Sequence, residues 1–132
     1  MTVLLAYINT PAGDAALNAA VDQARWRAAK AVIVNVTRPV AEIDSPISTE
    51  QWLDAAAAVF EKAGVAVEVR QLPSSLDRAG DILMVMSEIK PDLVVIGLRR
   101  RSPVSELVIG STSQSIMRGA ECPVLVVKAA TP

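Results

Sequence analysis

Runs of almost unbroken apolar residues alternate along the chain with stretches whose apolar positions recur every three to four residues. Val3-Leu4-Leu5-Ala6-Tyr7-Ile8, Ala31-Val32-Ile33-Val34-Asn35-Val36, Asp92-Leu93-Val94-Val95-Ile96 and Pro123-Val124-Leu125-Val126-Val127 lack the alternation of a strand with one wet face. They read as strands of a parallel sheet covered by helices on both sides. A shorter run, Val65–Val69, carries Glu68 as an edge-side polar position. Between the runs, Leu17, Ala20, Val21, Ala24 and Ala28 predict a first helix at about Asp14 to Ala28. Ser48 with Gln51 three residues later is a capping-box pattern, so a second helix begins near Thr49. Trp52, Ala55, Ala56, Val59, Phe60 and Ala63 keep its period, and Gly64 is the expected stop. Ile82, Val85, Met86 and Ile89 share one face of a third helix, which Pro91 ends because the residue before proline is pushed out of the helical region. A last helix starts near Ser111, runs to about Gly119 and buries Ile116 and Met117.

The order is β-α-β-α-β-α-β-α-β, which predicts an α/β sandwich of three layers built on a five-stranded parallel sheet. The intervening segments read as loops: Thr37 to Pro46 with its prolines, Leu72–Leu76, and a short turn at Pro103–Leu107 opened by Ser102. No long Pro/Gly/Ser linker or internal repeat divides the chain, and its 132 residues are expected to form a single domain, 1–132. Sheets of this kind take ligands at the carboxyl ends of their strands, where the strand order reverses. That end brings Ile8–Pro11, with Asn9 and Thr10, beside Gly97–Arg101.

The chemistry concentrates after the fourth strand. Gly97-Leu98-Arg99-Arg100-Arg101 ends that strand, and Gly110-Ser111-Thr112 opens the last helix. A strand ending in glycine, followed by arginines and a Gly-Ser-Thr helix start, is one way to build an anion site. The N–H groups and the positive dipole end of a helix N-terminus both favour a phosphate. The simpler reading of Gly110-Ser111-Thr112 is a turn with Ser111 as helix cap.

Composition narrows the classes. The chain is 52% hydrophobic and 20% charged, with a net charge of -1. This describes a folded core and argues against nucleic acid or an anionic membrane surface as a partner. No run approaches the roughly 20 apolar residues of a membrane helix, and no leader pattern is visible, so the expected location is cytoplasmic. The chain has no histidine and one cysteine, Cys122, which reads as a small buried hydrophobe ahead of a strand. With neither a histidine base nor a P-loop lysine, binding or signalling is expected over catalysis.

The segment Gly97, two residues, Arg100, nine residues, Gly110-Ser111 resembles the G-x2-G-x9-G-S/T motif of the universal stress protein family. Together with the flanking strands, the resemblance covers essentially all 132 residues. It implies a flavodoxin-like or Rossmann-like sheet of order 3-2-1-4-5 and a stress-response role. It implies ATP or another adenine nucleotide, with Mg2+, as ligand, its phosphates running past Gly97, Gly110, Ser111 and Thr112 and its adenine facing Val36.

The chain departs from the motif at two places. Arg100 stands where the family has its second glycine; it either adds charge-assisted bonds to a phosphate or belongs to a solvated arginine loop. The family's strand-one aspartate falls at Ile8, or at Asn9 after a one-residue shift, and only Asn9 can hydrogen-bond a ribose. The remaining candidates read structurally: Trp26 and Trp52 as packing, Met84 and Met86 as core filler, Glu106 as a surface residue, and Asp14 as a charge complementing a helix dipole. Two alternatives stand beside nucleotide binding. One is a dimeric interaction protein, paired through an apolar fifth strand and using no nucleotide; the other is slow ATP hydrolysis.

Overall fold

The computed structural model describes residues 1–7, 11–36, 49–72, 77–98 and 111–129. Five strands and four helices alternate: β1 (Thr2–Ala6), α1 (Pro11–Arg27), β2 (Lys30–Val36), α2 (Thr49–Lys62), β3 (Val67–Leu72), α3 (Arg78–Ile89), β4 (Leu93–Leu98), α4 (Ser111–Gly119) and β5 (Val124–Lys128). All pairings are parallel and the order is β3-β2-β1-β4-β5, as the sequence resemblance implied.

Strand residues alternate between two cores because successive side chains point to opposite faces. Val3, Leu5, Tyr7, Ala31, Ile33, Leu93 and Val95 pack under α1 and α2, with Ala16, Ala20, Leu53, Ala56 and Phe60. Leu4, Val32, Val34, Val94 and Ile96 pack under α3 and α4, with Ile82, Val85, Met86 and Ile116. The near-continuous apolar runs of β1, β2 and β4 are thus buried on both faces, whereas the run of β5, expected to be covered on both sides, is only half-buried because β5 is an edge strand. At the amino end, β1 and β4 are stitched by Asp92, whose N–H donates to the Thr2 carbonyl while its carboxylate accepts from the Thr2 N–H, each at 2.8 Å.

Element boundaries follow local chemistry. Gly64 takes φ +79°, the left-handed turn expected after α2. The α3 helix ends at Ile89 with Lys90 left-handed at φ 52° just before Pro91. Its start has a cap that the sequence pattern did not reveal: Asp77 accepts from the Gly80 N–H at 2.9 Å.

Four expectations are corrected. The first helix begins at Pro11 instead of Asp14, proline serving as a first helical residue. The third strand lies at Val67–Leu72, two residues later than its apolar run suggested, because an edge strand needs only one apolar face. Met117 is 41% exposed, since only Ile116 of that pair points to the sheet from α4. Trp26 and Met84 face solvent at 72% and 64% exposure, on the outer sides of α1 and α3.

Candidate functional site

The strand order reverses between β1 and β4, and the carboxyl ends of these neighbours lie side by side. Ala6 pairs with Ile96 at that end, so Tyr7 and Gly97 come next along the two strands. The helices run back against the strands, so the N-termini of α1, α2 and α4 all lie at this end.

Gly97 is half-buried beneath the start of α1. A Cβ there would lie 2.5 Å from the Ala12 carbonyl oxygen and 3.2 Å from the Gly13 nitrogen. The glycine therefore lets the helix seat on β4, a packing reason that holds whether or not a ligand is bound.

Tyr7, just past β1, holds this end together. Its N–H donates to the Val34 carbonyl at 3.0 Å, and its own carbonyl accepts from Asn35 Nδ2 at 2.9 Å. Its hydroxyl donates to Asp14 Oδ1 at 3.1 Å, tying strand end to the first turn of α1. Burial, and then the adjacent Asp14 carboxylate, push the Tyr7 hydroxyl up to about 12. Asp14 thus orients a strand-end tyrosine as well as standing near a helix N-terminus.

Of the residues chosen from sequence, the structure places Val36 at the end of β2, Gly97 one residue before the end of β4, and Ser111 and Thr112 at the start of α4. Val36 and Gly97 are separated by β1, a span of roughly 10 Å at ordinary strand spacing. Ser111 is already the first helical residue and so does not hold the cap position. In general, the N–H groups at the start of a helix lack acceptors within it and point out of its end. Asn9, Thr10, Arg100 and Gly110 lie outside the described residues, as do Ile8 and Pro103–Leu107.

Asn35 was not among the residues the sequence singled out. It is a lone amide in an apolar strand, 8% exposed, and that isolation in the Ala31–Val36 run was the available signal. Among the described residues, no group of three or more His, Cys, Asp or Glu side chains could hold a metal ion. No helix among them is long and apolar enough to cross a membrane. Cys122 is half-buried and its thiol is pushed up, by burial first and then by Asp92.

These features define an open, doubly wound α/β protein whose strand order reverses between β1 and β4. The model of the universal stress protein family matches residues 1–128, and the chain belongs to that family. It is 30% identical over 126 residues to a universal stress protein of Mycolicibacterium smegmatis, covering 96% of each chain. Its fold is similar to that of a universal stress protein in complex with cAMP, at TM-score 0.76 and 23% identity, covering 98% of each chain. It is likewise similar to the universal stress protein from Archaeoglobus fulgidus in complex with dAMP, at TM-score 0.68 and 21% identity, covering 97% of this chain and 98% of that one.

Proposed function

We propose that this protein is a cytoplasmic stress-response module, a single domain over 1–132, that binds an adenine nucleotide such as ATP between the ends of β1 and β4. The observation that carries the reading is the reversal of strand order at β1 and β4, with the N-terminus of α4 at the same end of the sheet. Open α/β sheets take ligands at such a reversal, and a helix N-terminus takes phosphate. The ligands of two proteins of the same fold, cAMP and dAMP, are both adenine nucleotides and support the same class.

In this reading the phosphates meet Gly110, Ser111 and Thr112, with Arg100 adding charge. Asn9 and Thr10 meet the ribose, and Val36 meets the base. Mg2+ would travel on the phosphates, as Mg2+ commonly does, instead of in an all-protein cage. The role is binding, with the bound or free state read by other molecules, and not turnover. Equilibrium dialysis tests this: ATP or AMP is retained by the native chain, and Gly110→Val or Ser111→Ala weakens retention. No binding at millimolar nucleotide removes the proposal.

A second reading has its own support, in the contrast between the two sheet edges. β3 carries Glu68 and Arg70, joined at 3.0 Å, the kind of charge that blunts edge pairing. β5 is Val-Leu-Val-Val-Lys, half-buried except for Lys128. Pairing of β5 with its copy in a homodimer would cover it, with or without nucleotide. Sedimentation as a monomer at high concentration counts against it.

A further inference from the structure

The helices α1 and α2 both end at the amino edge of the sheet, the opposite end from the proposed nucleotide site. Between their ends lies an open groove of about 520 Å³, within the roughly 300–1,000 Å³ usual for ligand clefts. Its walls are small and apolar: Ala24, Ala28 and Ala29 around the end of α1, and Ala63, Val65 and Ala66 after α2. Arg25 and Lys30 also line it.

The charge around this groove is positive, although the chain as a whole carries -1. Segments 22–30 and 61–66 hold Arg25, Arg27, Lys30 and Lys62 against only Asp22 and Glu61. Arg25 meets Asp22 at 3.8 Å with both side chains half-exposed, and Lys30 makes no ion pair among the described residues. Basic residues near helix ends offset the helix dipole, but that role needs no groove between them. Nor are they needed as caps. The carbonyls of Ala24, Arg25, Phe60 and Glu61 already accept from the N–H groups of Ala29, Ala28, Val65 and Gly64. A separate observation points to a protein partner: Trp26, beside Arg25 in the last turn of α1, is 72% exposed. Tryptophan and arginine are among the side chains most enriched where protein partners bind.

We propose that this groove docks an acidic segment of a partner protein. An apolar side chain of that segment rests on the alanine walls, and its carboxylates meet Arg25 and Lys30. Alanine walls, two exposed cations and an exposed tryptophan suit an acidic, partly apolar peptide. Nucleic acid would need a sustained basic surface. The proposal does not rest on the nucleotide reading, whose site lies at the other end of the strands.

The probe is the acetylated and amidated peptide Glu-Leu-Glu-Glu-Leu-Glu, with Lys-Leu-Lys-Lys-Leu-Lys as its charge-reversed control. Each is titrated into the full chain carrying isotope-labelled alanine methyl groups. The acidic peptide is expected to move the Ala28, Ala63 and Ala66 methyl signals saturably at about millimolar concentration, and the lysine peptide to leave them in place. Arg25→Glu combined with Lys30→Glu is expected to weaken the acidic peptide about five-fold, the scale of two exposed ion pairs, and to admit the lysine peptide. The milder Arg25→Gln with Lys30→Gln is expected to lose the acidic peptide without gaining the other. Both positions are exposed, and an unchanged urea midpoint shows that each variant is folded. Equal binding of the two peptides, or no movement of the groove methyls at millimolar acidic peptide, overturns the proposal. Displacement of the acidic peptide by AMP would make the groove a small-molecule site and overturns it as well.

Discussion

Gly97 and Ala12 meet backbone to backbone, so closely that a Cβ on Gly97 would stand 2.5 Å from the Ala12 carbonyl oxygen. Backbone in the first turn of a helix of 17 residues cannot swing aside as a side-chain tip can. Gly97→Ala is therefore expected to destabilise the fold by about 1–3 kcal/mol, the range for overpacking a tight contact. Urea unfolding checks this, and a stability equal to the parent's would show that α1 is not seated on β4 as described.

The chain contains one tyrosine, so tyrosinate absorbance reports Tyr7 alone. Its midpoint is expected near 12 instead of 10. A folded value above the unfolded one means that the folded state holds the phenolic proton more tightly. The resulting stabilisation is complete below about pH 10 and is lost as pH rises from there through about 12. Asp14→Asn removes the carboxylate's share and lowers the midpoint, which stays above 10 because burial is the largest cause. A native midpoint at the ordinary value would contradict the Tyr7–Asp14 arrangement.

Neighbouring residues of α4 are expected to differ sharply. Ile116 is 2% exposed under the sheet, and Ile116→Ala should cost about 2–5 kcal/mol. Met117, 41% exposed, should cost within about 0.5 kcal/mol when changed to Ala. Thermal or denaturant unfolding of the two variants gives the comparison, and equal losses would contradict the orientation of α4.

The start of α3 depends on Asp77, whose carboxylate accepts from the Gly80 N–H. Asp77→Ala is expected to cost about 0.5–2 kcal/mol. Denaturant unfolding with no loss would show that the cap is not used.

Much of the frame was legible where backbone chemistry punctuates the chain. The end of α3 and the start of β4 fall around Pro91, and α2 ends just before Gly64. The errors came where hydrophobicity alone had to choose a face. Met117 sits one residue from Ile116 yet points away, and Trp26 is apolar but lies on the outer side of α1. In the candidate site, the Gly97 to Ser111 spacing was readable. The reason for Gly97 was not, because its neighbour Ala12 lies near the other end of the sequence. The role of Asn35 is hidden for a similar reason: its partner is the carbonyl of Tyr7, just past the adjacent strand β1.

The central claim is that the carboxyl edge of β1 and β4 holds an adenine nucleotide, and calorimetric titration of the native chain with AMP tests it most directly. A saturable one-site isotherm, weakened by Ser111→Ala, is the expected result. Absence of any binding heat at millimolar AMP, across temperatures so that a zero enthalpy is not mistaken for no binding, would contradict it.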